Sequence, residues 1–505
     1  MVLPGDATAA AVAADPGTWL LGARPTAAAR RLVRAAGGTA VVVGAFEVPR
    51  ARARALAGQL RRRGLLTFAE PNRLSRLAQA PRAVPDDPYD ARSRWRDASI
   101  DPVLQPPPVT AASPLLALID AKADLGHPEF QGGNARALKG RSVRVSHGTQ
   151  TLGVAAAPAN GIGIVGTYPG AKAVNVPLPP NLISCASSAR GIRRAVASRA
   201  LVINMSYGSS TFCQAEYQAL QLATHEGLTL VAAGGNERGQ GNPYEFPASL
   251  PHVLTVGALT PRDEAAFFSN TSAALDLVAP GVGLFAPTPV KLDNEDGGRD
   301  GYELVAGTSF SAPIVAGAAV WLRTVRPELT VDQAGQVLRL SAIDITDKGY
   351  DTETGYGKLS LARSLVAKPP LADPLEPNED LPFVTGAAFG TPARAIWTGG
   401  APRRLDALLD VFEDPGDVYR VRVPARSRVA ITTRPDFGNV DLDLYSTAAR
   451  HVGQRAHRLD RSRYDGRRAD RVRYVNRGRT RTLLVRAYVR AGRTLDARYT
   501  LTVKR

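Results

Sequence analysis

Apolar strands alternate with helical stretches across residues 115–365, and this alternation limits the fold more than any other feature of the chain. Runs of apolar residues without polar alternation are typical of strands buried on both faces, as in parallel sheets. Helices between such strands supply the crossovers that parallel pairing needs. The pattern predicts an α/β fold with strands at Leu115–Ile119, Ala173–Val176, Leu201–Asn204, Thr229–Ala233, Val253–Val256 and Leu277–Ala279, and helices at Gly148–Ala157, Ala186–Arg199, Gln214–Glu226, Ala312–Thr324 and Val331–Leu340.

Changes in composition on either side of this region predict further domains. A chain of 505 residues is longer than one ordinary domain. Residues 18–74 contain two strand–helix units and predict a small α+β domain. Residues 75–114 are rich in proline and read as a linker. Residues 376–505 show short alternating strands between turn residues, which predicts an antiparallel β-sandwich.

Charge and cysteine content limit the partners and the compartment. The net charge is +17, and from Arg450 onward there are 18 Lys and Arg against 4 Asp and Glu. Such a basic surface can meet an anionic surface, or simply keep the domain soluble. Cys185 and Cys213 have no zinc-site spacing, which leaves one disulfide or two buried thiols open. No apolar run reaches the length of a membrane span, and no signal-peptide pattern is visible.

Four polar residues stand at the predicted ends of elements. Asp120 ends a strand, His147 begins a helix, Asn236 follows the strand Thr229–Ala233, and Ser309 precedes the helix that contains Pro313. Sites of α/β proteins lie where strands end. A serine nucleophile needs a base, the base needs an orienting carboxylate, and an amide can bind an oxyanion. Each residue alone has an ordinary structural interpretation: Asp120 and Ser309 as helix caps, and His147 as a structural histidine.

One glycine motif has a different interpretation. Gly161-Ile162-Gly163-Ile164-Val165-Gly166 matches the GxGxxG pattern of dinucleotide sites. That pattern should follow a strand and open a helix, whereas here it follows a helix and leads through Pro169 into a strand. We therefore expect a loop with glycine turns and no nucleotide cofactor.

In order and context these residues resemble the subtilisin-like serine proteases, the subtilases, over about residues 85–365. The resemblance rests on the following motifs: Leu118-Ile119-Asp120 with His127-Pro128, His147-Gly148-Thr149, Val202–Gly208, Gly235-Asn236-Glu237, Phe246-Pro247-Ala248, Val278–Gly281, and Gly307-Thr308-Ser309 with Ala312-Pro313. It implies a subtilisin-like parallel sheet flanked by helices and a secreted serine endopeptidase.

The resemblance implies a role for each site residue. Ser309 corresponds to the nucleophile, His147 to the general base and acid, and Asp120 to the residue that orients the imidazole. Asn236 and the Ser309 backbone N–H correspond to the oxyanion hole. The implied substrate-binding segments are Ser206, Tyr207 and Gly208, which pair with substrate backbone, and Ala232, Ala233 and Gly234, which line the S1 pocket.

The regions on both sides of residues 85–365 also resemble domains found with subtilases. Residues 18–74 resemble the subtilase propeptide, which implies a zymogen with an intramolecular inhibitor and processing within the linker. Residues 376–505 resemble the bacterial pre-peptidase C-terminal domain, on Glu376–Asp380, Asp417–Val421 and Asp441–Tyr445. We expect polypeptide substrates, no specific nucleic acid and a monomer. No metal is required, although calcium as a structural ion is frequent in subtilases; the loop Asp293–Asp296 has suitable ligand types.

Departures from the family pattern keep a second hypothesis open. Ala121 and Lys122 stand where the family usually has Ser or Thr and then Gly, Gln150 replaces a histidine, and Ile314 replaces another. The alternative is a catalytically inactive subtilase scaffold that acts as a binding protein. Near the S1 segments, Glu245 can favour a basic substrate residue, but we expect it to be an ordinary exposed carboxylate.

Overall fold

The computed structural model describes residues 14–24, 26–42, 45–73, 87–89, 95–140, 142–180, 183–294, 298–346, 348–373, 375–489 and 496–505. The chain divides into two compact units, Met1–Pro81 and Arg82–Arg505. The division falls inside the predicted linker. The boundaries predicted for the separate domains stay predictions.

The first unit packs two helices with a four-stranded antiparallel sheet. Helix α2 is amphipathic, because Ala53, Leu56 and Leu60 fall on one face and are buried. Helix α1 begins after Thr26, whose hydroxyl accepts a hydrogen bond from the Ala29 N–H. The sheet order is β2-β3-β1-β4. The elements are β1 (Ala14–Ala23), α1 (Ala27–Ala35), β2 (Thr39–Val42), β3 (Ala45–Pro49), α2 (Arg50–Arg62) and β4 (Leu66–Arg73).

The first part of the second unit is an α/β domain. Its elements are α3 (Trp95–Ser99), β5 (Leu116–Asp120), β6 (Ala135–Ala137), α4 (His147–Ala156), β7 (Ala173–Pro177), α5 (Cys185–Ala197), β8 (Val202–Met205), α6 (Gln214–His225), β9 (Thr229–Ala233), β10 (Val253–Leu259), β11 (Leu277–Pro280), β12 (Val282–Pro287), β13 (Tyr302–Ala306), α7 (Thr308–Val325), α8 (Val331–Leu340) and α9 (Leu361–Val366), with short 3-10 helices at Pro128–Phe130 and Arg238–Gln240.

Seven parallel strands form the centre of this domain, in the order β11-β10-β9-β8-β5-β7-β6. Strands β5 and β7 to β11 are buried along their whole length, which explains their continuous apolar sequence. Helices α4 and α7 share one hydrophobic cluster with the sheet, and α5 and α6 share another. The α/β prediction is confirmed.

Each of the six predicted strands is present, and the structure adds β6, β12 and β13 to them. Strands β12 and β13 form a separate antiparallel hairpin. Residues 161–166 lie in neither a helix nor a strand, so the glycine motif is a loop as expected. Among the described residues, no helix is long and apolar enough to cross a membrane.

The C-terminal part is rich in strands, as predicted. Two antiparallel sheets, β14-β21-β16-β19 and β15-β20-β17-β18, share one hydrophobic cluster that includes Val421, Ile431, Val485 and Leu501. The elements are α10 (Leu381–Thr385), β14 (Arg403–Asp410), β15 (Gly416–Val423), β16 (Ser427–Phe437), β17 (Val440–Ser446), β18 (Arg458–Ser462), β19 (Asp470–Asn476), β20 (Arg481–Val489) and β21 (Asp496–Lys504), with a 3-10 helix at Arg455–His457.

Candidate active site

Asp120 ends β5 and holds a histidine from the neighbouring helix. Its Oδ1 lies 2.8 Å and its Oδ2 3.0 Å from His147 Nδ1. The carboxylate also accepts hydrogen bonds from the Ala121 N–H, at 2.6 Å, and from the Thr151 hydroxyl, at 3.0 Å. Asp120 is 4% exposed. Three donors therefore satisfy a buried carboxylate and fix its direction.

His147 is the first residue of α4, and its side chain is 35% exposed. When Nδ1–H donates to Asp120, the neutral ring leaves Nε2 as an acceptor. Burial lowers the pKa of His147, but the charge and hydrogen bond of Asp120 prevail, so the pKa is raised from its ordinary value. The next residue must be glycine, because a Cβ on Gly148 would lie 2.1 Å from the Ala121 carbonyl oxygen. This close packing brings the imidazole to the end of β5.

Ser309 is the second residue of α7, which begins directly after Gly307. The alternative interpretation of Ser309 as the helix N-cap is therefore excluded, because Gly307 is the N-cap, and the helix begins four residues before the predicted start at Ala312. Pro313 lies inside the helix and not in its first turn. A proline at this position cannot donate to the carbonyl four residues earlier, which is that of Ser309. That carbonyl instead accepts a hydrogen bond from the Ser206 hydroxyl at 2.8 Å, and this replaces the missing helical bond.

The Ser309 hydroxyl has a backbone carbonyl as its partner in this structure. Ser309 Oγ donates to the Ser206 carbonyl at 3.4 Å. Within the described part of the chain, no hydrogen bond joins His147 to Ser309. The His147 ring lies 5.7 Å, centroid to centroid, from the ring of Phe310 at the start of α7. Catalytic hydrogen bonds in enzymes without substrate are often long and tighten when substrate binds.

Asn236 follows β9 and presents its amide nitrogen beside the start of α7. Its Oδ1 accepts hydrogen bonds from the Thr308 N–H, at 2.9 Å, and from the Thr308 hydroxyl, at 3.0 Å. A backbone N–H can only donate, so the amide oxygen must face Thr308 and the Nδ2 donor must point away. Nδ2 lies 3.6 Å from where a Cβ on Gly307 would be. The donor is thus oriented next to Ser309.

The predicted substrate-binding residues differ in how exposed they are. Ser206 bonds to the start of α7, and Gly208 is exposed. The Tyr207 hydroxyl lies 2.7 Å from the Ser188 hydroxyl and anchors this segment to α5. On the other side, Ala232 is 0% and Ala233 5% exposed, and Gly234 is also buried. The chain continues from them into Gly235, which is half-buried, and Asn236, which is exposed.

Two of the residues that depart from the family pattern, Lys122 and Gln150, make their side-chain contacts away from the reacting groups. Lys122 donates to the Leu138 carbonyl at 3.2 Å. Gln150 is buried and donates to the hydroxyl of Thr288, at 3.0 Å, and to the carboxylate of Glu303, at 3.3 Å. Both side chains therefore support the surrounding structure.

Sequence reasoning missed two residues that orient the site. Thr151 donates to Asp120, and Thr308 fixes the Asn236 amide. A signal for Thr151 exists in the sequence, because it follows His147 by four residues and so lies one helical turn further on the same face. Thr308 has no such signal, since its partner is 72 residues away.

A disulfide joins Cys185 and Cys213, which selects one of the two interpretations left open by the sequence. It connects the first residue of α5 to the residue before α6. The two helices that cover one face of the sheet are thereby crosslinked at the same end.

Two sets of three side chains among the described residues have the geometry of a cation site. Their ligand atoms lie within 4.8 Å of one another, and the sets are His252, Glu376, Glu379 and Asp373, Glu376, Asp417. Buried oxygen atoms of Glu376, Glu379, Asp373 and Asp417 have no hydrogen-bond partner there. Burial first, and then Asp417, raise the pKa of Asp373 to about 8. Carboxylate-rich sets of this kind suit calcium. In the loop Asp293–Asp296, Asp293 accepts from the Gly301 N–H at 2.7 Å, and Glu295 and Asp296 lie outside the described residues.

Comparison with known proteins identifies relatives of the chain. The subtilase family model matches residues 115–357. A probable subtilase-type serine protease of Deinococcus radiodurans is 29% identical over 67% of this chain and 46% of its own length. The alkaline elastase YaB of a Bacillus strain is 33% identical over 46% of this chain and 55% of its own. Subtilisin of Bacillus pumilus is 31% identical over 51% of this chain and 92% of its own.

Among solved structures, the prenylagaramide maturation protease PagA matches 50% of this chain and 92% of its own, with 27% identity and a TM-score of 0.44. The chain spans about half the length of the first two curated relatives. Fold and site together define a subtilisin-type α/β protein. The chain belongs to the subtilase family.

Proposed function

We propose that the protein is a serine endopeptidase. Ser309 Oγ attacks the carbonyl carbon of a peptide bond while His147 Nε2 takes the hydroxyl proton. His147 returns this proton to the leaving amine as the acyl-enzyme forms, and water hydrolyses the acyl-enzyme by the same route in reverse. Asp120 holds the imidazole tautomer and stabilises the imidazolium. Asn236 Nδ2 and the Ser309 N–H receive the oxyanion.

The observation that carries this proposal is the Asp120–His147 pair beside a serine at a helix start. The carboxylate is buried and hydrogen-bonded at 2.8 Å to the imidazole, and Ser309 lies in the first turn of α7, at the positive end of the helix dipole. The oriented Asn236 amide adds a second donor. These are the parts that acyl transfer requires.

The test compares the full chain with Ser309→Ala on casein and with a fluorophosphonate probe. We expect the wild type to cleave casein and to be labelled at Ser309, and the variant to do neither while keeping its thermal unfolding curve. Undiminished cleavage by Ser309→Ala would refute the proposal. The inactive-scaffold alternative predicts no labelling of the wild type, and the engagement of Lys122 and Gln150 elsewhere gives it no support.

The proposal also covers secretion and activation of the enzyme. The enzyme is secreted and made as a zymogen, with residues 18–74 as its inhibitor and cleavage within residues 75–114. Support comes from the separate compact unit before residue 82 and from the resemblance in element order. Mass spectrometry of the protein recovered from the culture medium of a producing cell tests this. An N-terminus within residues 75–114 is expected, and an uncleaved active protein would refute it.

The C-terminal part is proposed to be a pre-peptidase C-terminal domain, a β-sandwich that contacts anionic surfaces through its basic residues. The enzyme acts as a monomer without specific nucleic-acid binding. Salt-dependent retention of the full chain on heparin, with elution as a single copy in size exclusion, is the expected result.

Calcium is proposed as a structural ion at Asp373, Glu376 and Asp417. Three buried carboxylates repel one another unless a cation or protons compensate them. Chelation with EGTA should lower the melting temperature of the wild type, and Asp417→Asn should reduce that response. An equal response in both proteins would argue against this site.

A further inference from the structure

A buried carboxylate lies between the two segments assigned to substrate binding. Glu245 is 6% exposed, so the expectation of an exposed side chain is wrong. The next residue, Phe246, exchanges backbone hydrogen bonds of 2.8 and 2.9 Å with Ser209. A Cβ on Gly208 would lie 2.6 Å from Glu245 Oε2, and a Cβ on Gly235 would lie 2.6 Å from Glu245 Cγ. Two glycines therefore make the space into which this carboxylate fits.

Within the described part of the chain, the Glu245 carboxylate has no partner of opposite charge. No hydrogen bond or ion pair from any described residue reaches its side chain. Arg238, from the same surface loop, is paired with Glu353 at 2.7 Å. Burial first, and then the charge of Glu237, raise the pKa of Glu245 to about 7. A buried carboxylate without a partner is unfavourable, and a cation at this point would satisfy it.

The position of Glu245 beside the proposed substrate segments indicates which cation could pair with it. Gly235 precedes Asn236, the proposed oxyanion donor, and Gly208 ends the segment proposed to pair with substrate. A substrate that pairs with residues 206–208 and has its cleaved carbonyl at Asn236 therefore carries its P1 residue beside the two glycines that pack against Glu245. Arginine and lysine are long enough to reach a carboxylate that is set back from the substrate backbone, and their charged ends hydrogen-bond to carboxylates.

We propose that Glu245 is a specificity-determining residue that selects substrates with arginine or lysine at P1. This inference rests on the proposed endopeptidase function. The pairing requires no chemistry beyond peptide hydrolysis, since the substrate side chain supplies the cation. An apolar P1 residue would leave the carboxylate buried and unpaired, so binding energy is lost relative to a basic residue.

The experiment measures kcat/KM of the processed full-chain enzyme on one peptide p-nitroanilide series. Only P1 varies: arginine, lysine, citrulline and phenylalanine. Citrulline has the shape of arginine without its charge, so the arginine-to-citrulline ratio isolates the charge. We expect this ratio to be about 100 in the wild type, the range for a buried charge pair that loses one partner. In Glu245→Gln we expect the ratio to fall to about 1, mostly because kcat/KM for the arginine substrate decreases.

The matched control is Glu353→Gln, whose carboxylate is 46% exposed and pairs with Arg238. It should keep the wild-type ratio, which separates a local contact from a general change in charge. Circular dichroism and the melting temperature verify that Glu245→Gln is folded. If that variant does not fold, the arginine and citrulline values of the wild type alone decide.

The outcomes separate this inference from the proposed function. Hydrolysis of phenylalanine at P1 in preference to arginine would overturn the role of Glu245 and leave the endopeptidase standing. The same holds for a ratio that is unchanged in Glu245→Gln. Hydrolysis of no peptide, with no fluorophosphonate labelling, would overturn the proposed function itself.

Discussion

Removal of one buried arginine should weaken the junction between the α/β domain and the C-terminal sheets. Arg339 on α8 is 8% exposed. Its Nη1 lies 3.2 Å from Asp276 Oδ1 in the α/β domain and 3.3 Å from Asp410 Oδ2 at the end of β14. Burial lowers the pKa of Arg339, but Asp410, Asp276 and Glu413 raise it above its ordinary value. The guanidinium thus balances acids from both parts of the unit.

Arg339→Ala leaves these acids buried without their cation. Breaking a buried pair by removing one partner costs about 3–5 kcal/mol. We expect the upper end of that range at pH 8, because Arg339 faces more than one carboxylate. Even with Arg339 present, burial raises the pKa of Asp276 to about 6. Without the arginine, whose charge lowers it, the pKa of Asp276 rises further above its unfolded value.

The pH dependence has a definite sign. A carboxyl whose folded pKa is raised favours the folded state at low pH and loses this contribution as pH rises through the folded pKa. The destabilisation by Arg339→Ala is therefore larger at pH 8 than at pH 5. At pH 5 the acids can take up protons and partly replace the missing cation.

The assay is urea unfolding of the full chain at both pH values, in a Ser309→Ala background that prevents self-digestion. The control is Arg404→Ala, since Arg404 is 72% exposed and lies 3.6 Å from Asp406. An exposed pair contributes about 0–1 kcal/mol. A loss in Arg339→Ala no larger than in the control at pH 8, or a larger loss at pH 5 than at pH 8, would refute the reasoning.

Three further predictions concern the site and the crosslink. Thr308→Val should lower kcat by about 10- to 100-fold with little change in KM, because the Asn236 amide loses its orienting hydroxyl; an unchanged kcat would argue against that role. The acid limb of kcat/KM should have its midpoint above pH 6.5, because Asp120 raises the pKa of His147 and only the neutral imidazole is a base; a midpoint below 6.5 would contradict this. Thiol titration of the denatured wild type should detect no free thiol without reductant, and a free thiol would contradict the disulfide. Cys185→Ser should lower the free energy of unfolding by about 2–4 kcal/mol.

The strands and their polar ends were predictable because burial on both faces leaves a direct trace in the sequence. Strand β5 is apolar up to Asp120 and β9 up to Ala233, so the point where polarity returns is the point where each strand ends. Parallel strands place these ends at one edge of the sheet. Asp120 and Asn236 could therefore be assigned to one site from the sequence alone. Helix α7 was predicted less well, because its apolar run starts after the residues that begin the helix.

What the sequence could not reveal depends on contacts between distant backbones. The burial of Glu245 follows from the absence of side chains at Gly208 and Gly235, and either glycine alone reads as an ordinary turn residue. The charge balance around Arg339 joins residues 63 or more positions apart, such as Asp276. Ionisable side chains are normally exposed, so a prediction from composition assigns all of them to the surface.

Pro313 permits one such contact between distant backbones at the proposed nucleophile. Because proline cannot donate, the Ser309 carbonyl is free to accept from Ser206 Oγ, while Ser309 Oγ donates back to the Ser206 carbonyl. The proposed nucleophile and the proposed substrate-binding segment are therefore joined by two reciprocal hydrogen bonds. The start of α7 is thus tied to the proposed substrate segment through both the carbonyl and the hydroxyl of Ser309, and no N–H at residue 313 competes for that carbonyl.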